Sequence, residues 1–186
     1  MKQDIQKCTD TLHKGGIILY PTDTIWGLGC DATNPDAVEK LYRIKQRDPQ
    51  KSMLILIENI NQVTSYVDKP PEVALDMMEL STEPLTIVFD NAKNLPHNLI
   101  AEDGSIAIRL VKSGFVAELI RRFKRPVVST SANFSGSETP LSFSDISDQL
   151  LSKVDYASVT GREKRHKKAS SLIKIKQDGE IIILRK

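Results

Sequence analysis

No apolar run in this chain approaches the ~20 residues of a membrane-spanning helix, and none is expected to cross a bilayer. The opening MKQDIQKCTDTLHKGG is polar and lacks an apolar core, so no secretory signal is expected and a cytoplasmic location is. Cysteine is scarce: Cys8 and Cys30 stand far apart and form no CxxC, which excludes a zinc ribbon and a disulfide framework and fits a reducing compartment. GxxxxGK[ST] is absent, so a nucleotide would not be held by a P-loop. HExxH, clustered His/Cys ligands and GxSxG are also missing, and no metal-binding residues are assigned. No paired carboxylates in an apolar setting point to general acid–base work. His13, at a helix end, and His97, in a polar loop, read as surface residues. The net charge of +2 is too small to mark a nucleic-acid binder, so any affinity for anions must come from local clustering. There is no internal repeat, low-complexity tract or clear linker, and 186 residues fit one domain spanning 1–186 with a proper core.

What is present centres on residues 16–52. Ile17–Tyr20 reads as a short buried strand stopped by Pro21, and Thr22, Asp23 and Thr24 read as a loop in which Gly27 and Gly29 let the backbone bend. Asn34-Pro35 is a helix start, with Asn as cap and Pro at the first helical position. Val38, Leu41, Tyr42 and Lys45 then fall on one face, so the helix delivers Lys45 and Arg47 at its end, and Lys51 precedes the strand Met53–Ile57. Hydroxyls and cations from neighbouring elements suit a small polar substrate carrying an anion. The same cations would also suit an ordinary solvated helix end. Gly27-Leu-Gly29-Cys-Asp-Ala32 imitates a dinucleotide fingerprint, but PTDTIW separates it from its strand and the helix begins later.

Residues 4–14 read as an amphipathic helix ended by Gly15-Gly16. Residues 61–67 and 71–80 read as two helices, with Val73, Ala74, Met77, Met78 and Leu80 expected in the core. Ser81–Phe89 reads as a turn entering a strand. Arg109 sits in the strand Ile106–Leu110 and either reaches water or waits at a cavity rim for a carboxylate. Ser113 is expected to cap a helix carrying Val116, Leu119, Ile120 and Phe123, and Ser142 or Ser144 another carrying Ile146, Leu150 and Leu151. Pro126–Ser129 is a short strand running into Thr130, Ser131 and Asn133, which is either turn chemistry or the place where an open α/β sheet binds a ligand. The basic run Gly161–Lys168 reads as a solvated loop or an RNA contact, and two closing strands flank Asp178-Gly179. Alternation of βα units in the first half with a hairpin at the end predicts an α/β fold of the α+β type, a twisted mixed sheet with flanking helices.

PTDT at 21–24, GLG at 27–29, Lys45-Gln-Arg47 as KxR, PLT at 84–86, IAIRL around Arg109 and STSAN at 129–133 together resemble the YrdC/Sua5 family of threonylcarbamoyl-AMP synthases. The resemblance runs from Gly15 to Arg185, without the second domain that follows in Sua5 proteins. It implies a YrdC/RibB-like fold with a concave basic cavity. It also implies a nucleotidyltransferase that forms L-threonylcarbamoyl-AMP and pyrophosphate from L-threonine, bicarbonate and ATP, with Mg²⁺ accompanying the nucleotide. Partner proteins would then transfer the threonylcarbamoyl group to adenosine 37 of tRNA, giving t6A. By resemblance, Thr22, Arg109, Ser129 and Ser170 would hold threonine. Lys45 and Arg47 would act as the catalytic cations on the ATP phosphates, with Lys51, Ser105, Ser131, Asn133, Thr139 and Arg185 also at the nucleotide. Glu83 replaces the usual glycine before PLT, and Ser170-Ser171-Leu172 stands where STI or STV is usual. Two other readings fit some of these residues: a tRNA or double-stranded RNA-binding module, and a YciO-like paralogue with a different activity.

Overall fold

The computed structural model describes residues 1–48, 50–165 and 169–186. Nine strands join in one mixed sheet: β1 (Ile18–Pro21), β2 (Trp26–Asp31), β3 (Leu54–Ile57), β4 (Leu85–Phe89), β5 (Ile106–Leu110), β6 (Val127–Ser131), β7 (Tyr156–Ala157), β8 (Ser171–Ile175) and β9 (Ile181–Arg185). Their spatial order is β7-β1-β2-β6-β3-β5-β4-β8-β9. β3 and β5, β4 and β8, and β1 and β7 pair in parallel, and the other neighbours are antiparallel.

The alternation of side chains along each strand sorts the sheet into two faces. Leu28, Cys30, Ile55, Ile57, Ile87, Phe89, Ile108, Val128 and Ile173 build the larger core on one face. The helices α2 (Pro35–Lys45) and α4 (Glu72–Leu80) pack there. On the other face, α1 (Lys2–His13) and α5 (Gly114–Phe123) lean on each other and cover Ile18, Tyr20, Leu56 and Val127. They cover only one end of it. The other end stays open, and the candidate site lies there.

Several local expectations change. Residues 26–31 are a strand, not a loop, and Pro21 pairs with Trp26 as the last residue of β1 instead of stopping the strand early. The glycines serve close approach rather than bending. A Cβ on Gly29 would lie 2.5 Å from the Val128 carbonyl oxygen and 2.8 Å from the Tyr20 ring, so the β1–β2–β6 layer closes only around a residue without a side chain. In α4 only Ala74 and Met78 are buried, while Val73 and Leu80 face solvent, because this nine-residue helix lies near the edge of the core. Ser113 makes no side-chain cap. Ser142 instead closes a capping box with Asp145 around a single 3₁₀ turn, and Ser147 caps the short helix α6 (Asp148–Leu151). Asn34 caps α2 as its sequence implies, accepting from the Asp36 and Ala37 amides. The second half of the basic run, 166–168, lies outside the described residues.

Candidate active site

The open end of the face is a cavity of about 220 Å³. Its floor comes from neighbouring strands in register: Gly27 beside Ser131, Leu54 between Ser129 and Ala107, and Arg109 and Leu172 on either side of the buried Thr86. Its described lining holds three arginines (Arg47, Arg109 and Arg185), eight serine or threonine residues, and no carboxylate. A wall of hydroxyls and guanidinium groups suits an anionic ligand, most strongly at the buried Arg109.

Each arginine is fixed by the chain around it. Arg47, just beyond α2, donates from Nε to the Lys51 carbonyl at 2.6 Å and from a terminal nitrogen to the Ser52 carbonyl at 3.1 Å. Burial pulls its pKa below the ordinary arginine value. Arg185 donates from Nε to the Ser170 carbonyl at 3.0 Å. Arg109 is almost wholly buried, and that burial pushes it down to about 10, so it stays charged at neutral pH. It donates to Thr24 Oγ1 at 2.9 Å and forms an ion pair with Asp23. The sequence left open whether Arg109 reaches water or meets a carboxylate, and in the structure it meets one supplied by the chain itself.

The hydroxyls are similarly held. Thr22 lines the cavity, but its oxygen accepts from the Thr24 and Ile25 amides and bonds the Ile25 carbonyl, so it shapes the β1–β2 turn. Tyr20 donates to Ser129 Oγ at 2.8 Å from beneath α1 and α5, marking the seam between the two ends of the face. Ser170 and Thr86 share a hydrogen bond of 2.8 Å across β4 and the start of β8.

Of the residues singled out from the sequence, Thr22, Arg47, Arg109, Ser129, Ser131, Thr139, Ser170 and Arg185 line this one cavity. Lys45, Lys51, Ser105 and Asn133 do not appear in its described lining. Lys45 is turned inward and only 1% exposed. Its ammonium is shared among the Ser131 carbonyl at 2.6 Å, the Asn133 carbonyl at 2.5 Å and Asn133 Oδ1 at 2.9 Å. Burial, with Arg47 nearby, pushes it down to about 7, whereas three oxygen acceptors hold the charged form in place. Lys45 thus organises the 131–133 turn from below, its ammonium shared among these oxygens in the ligand-free structure. Asn133 is used in the same turn, accepting from Ser131 Oγ and donating to the Ser137 carbonyl. Lys51 is exposed and offers its carbonyl to Arg47, while Ser105 is buried just before the start of β5.

Sequence reasoning passed over three participants: Asp23, Thr24 and Thr86. All three lie inside the PTDT and PLT segments, so the residues were in view. What was missing was the pairing that sets β4 beside β5 and the β1–β2 turn over Arg109.

The Sua5/YciO/YrdC family model, described as telomere recombination, matches residues 10–186. The chain is 38% identical over 148 residues to a threonylcarbamoyl-AMP synthase of Pseudoalteromonas translucida (strain TAC 125), covering 78% of this chain and 79% of that protein. The fold is similar to that of E. coli YciO, with a TM-score of 0.85 and 26% identity over 100% of this chain and 90% of that one. It is also similar to P. abyssi Sua5 solved with L-threonine, with a TM-score of 0.84 and 22% identity, over 94% of this chain and 52% of the longer Sua5 chain.

Proposed function

The chain belongs to the Sua5/YciO/YrdC family, and from that premise we propose that it is an L-threonylcarbamoyladenylate synthase, a nucleotidyltransferase that joins L-threonine, bicarbonate and ATP into threonylcarbamoyl-AMP and pyrophosphate. The observation that carries the reading is a cavity whose described lining holds three arginines and eight hydroxyl residues but no carboxylate, together with the 38% identity to a synthase of that name. Such a lining takes several negative charges at once and offers no obvious protein nucleophile.

Arg109, at the deep side, takes the threonine carboxylate, with Thr22, Ser129 and Ser170 around it. Arg47 and Arg185 face the triphosphate, and Ser131 and Thr139 the rest of the nucleotide. The threonine amine nitrogen bonds the carbon of bicarbonate as a C–O bond breaks and water leaves, giving a carbamate whose oxygen attacks the α-phosphorus. The P–O bond to pyrophosphate breaks as the new P–O bond forms. Guanidinium groups held by backbone carbonyls neutralise charge on the attacking and leaving oxygens without having to reorganise. Magnesium belongs to the substrate as the counter-ion of ATP. No cluster of three His, Cys, Asp or Glu forms among the described residues, so the protein would meet the ion through the triphosphate. The product would pass to proteins that transfer threonylcarbamoyl to tRNA, in a cytoplasmic setting. No helix of the described chain is long and apolar enough to cross a membrane.

The test is pyrophosphate release by the pure protein with ATP, Mg²⁺, L-threonine and bicarbonate. Release that needs both threonine and bicarbonate is expected. ATP turnover indifferent to threonine, or none at all, would sink the synthase reading and favour the YciO-like alternative. Tight salt-sensitive RNA binding without turnover would favour the RNA-binding one.

A further inference from the structure

Arg109 keeps one edge of its guanidinium half filled. Nη1 donates to Thr24 Oγ1, Nη2 donates to Asp23, and Nε is buried without a partner among the described residues. The Nε–Nη2 edge is the one a carboxylate grips with two parallel hydrogen bonds. Asp23 uses only half of it.

The two partners are buried very unequally. The Arg109 side chain is 5% exposed and that of Asp23 44%. Asp23 sits on the turn between β1 and β2, whose hydrogen bonds run through Thr22 and leave the Asp23 side chain outside the network. It does not line the main cavity. It lines an adjoining one of about 190 Å³, walled by residues 81–85 and 110–113. The ion pair therefore stands between two spaces. Arg109 opens onto the first, and the Asp23 carboxylate has the second to turn into. The lining of the second also includes Ser113, the N-cap residue of α5, whose side chain makes no cap hydrogen bond.

We propose that Asp23 is an internal stand-in for the substrate carboxylate: it holds Arg109 in the empty site, and an incoming carboxylate displaces it into the adjoining cavity by taking the whole Nε–Nη2 edge. The proposal rests on the reading of Arg109 as the carboxylate site. It explains how an almost fully buried guanidinium persists without ligand, since a buried charge left unpaired is strongly destabilising. It also makes Asp23 a specificity-determining residue. A ligand must beat a tethered carboxylate, so an acid gripping Arg109 by one hydrogen bond gains little. One that fills both donors and adds contacts to Thr22 or Ser170 wins. The competition raises the apparent dissociation constant of every carboxylate ligand by the inverse of the fraction of Arg109 left free.

The experiment uses the full chain and Asp23→Asn, which keeps an oxygen acceptor for Nη2 and removes the charge. Asp23→Ser serves as a second variant should the first fold poorly. Sodium acetate, L-threonine and L-threoninamide are titrated separately while the Arg109 Nε–H resonance is followed by NMR. Trp26 emission reports folding, as it is the single tryptophan of the chain. Acetate and L-threonine are expected to shift the resonance in the wild type, with midpoints falling about tenfold in Asp23→Asn as the competitor is removed, and threoninamide to leave it unmoved. Unchanged or weaker acid binding in folded variants, or a resonance that no acid moves, would overturn the proposal. If acetate behaves as expected and threonine binds neither protein, the exchange at Arg109 stands and the threonine reading fails.

Discussion

Leu54 and Leu56 leave the same face of β3, two residues apart, Leu56 inside the core under α1 and α5 and Leu54 at its margin. Leu54 also lines the polar cavity. The neighbouring strands repeat the contrast. β6 carries Val127 under the helices but Ser129 and Ser131 towards the cavity, and beyond β5 Val111 is covered while Ala107 is not. One end of the face is thus ordinary core, and the other is polar floor whose donors are held by neighbours instead of by water. Stability should reside in the first and ligand affinity in the second.

Arg109→Leu attacks the open end and carries the largest expected effect. Removing a buried charge that grips a charged ligand costs roughly 2–5 kcal/mol, so kcat/KM for threonine should fall by about 30- to 4,000-fold. Asp23, half in solvent, simply rehydrates, and the thermal midpoint should move little. The covered end should answer in reverse. Leu119→Ala empties a fully buried site in α5 and should cost about 2–4 kcal/mol of unfolding free energy, leaving KM for threonine unchanged. Denaturant melts and steady-state kinetics on the two variants check both. A collapse in stability for Arg109→Leu, or a raised KM for Leu119→Ala, would break the division.

Asp4 sharpens it through pH. This buried carboxylate ties the start of α1 to the 156–160 segment, accepting from Ser158 Oγ, the Thr160 amide and the Tyr156 hydroxyl. Burial raises its pKa, but hydrogen bonds from Ser158, Thr160 and Tyr156 outweigh that and hold it at about 2, against an ordinary 3.8. The folded value lies below the unfolded one, so its stabilisation is complete above about pH 4 and is lost as pH falls through 2. The shift corresponds to about 2 kcal/mol. Asp4→Asn should lose that amount at neutral pH and flatten this part of the acid limb of a stability–pH curve, without changing threonine affinity.

Much of this contrast was legible before the structure. Asn34-Pro35 announced α2, and the short apolar run Pro126–Ser129 announced a strand ending in hydroxyls, which the structure extends to Ser131. Arg109 in an apolar strand posed a choice between water and a carboxylate. Other features were hidden for physical reasons. GLG reads as a loop because glycine has no strand preference, yet Gly29 is required by the approach of Tyr20 and Val128 from two other strands. The helical face of Lys45 was readable, but not that its ammonium ends under the 131–133 turn, since that depends on a contact 86 residues away. The Asp23–Arg109 pair spans the same separation of 86 and follows from strand order, which local pattern does not encode.

The smallest effect belongs at the outer edge of the sheet, short of Arg185, the one β9 residue in the described lining of the cavity. β9 closes the sheet at its outer edge, and Ile183, paired with Ile173 of β8, is 60% exposed. β8 still contributes the buried Ile173 and Ile175 to the main core, so the apolar layer ends one strand short of the edge. Threonine keeps the β-branched shape that suits a strand and gives up little buried area. Ile183→Thr should therefore change unfolding free energy by less than about 0.5 kcal/mol and leave turnover untouched, measured in the same melts and assays. A loss near that of Leu119→Ala would mean that β9 is covered in solution, and that the division of the sheet into covered and open ground extends to its last strand.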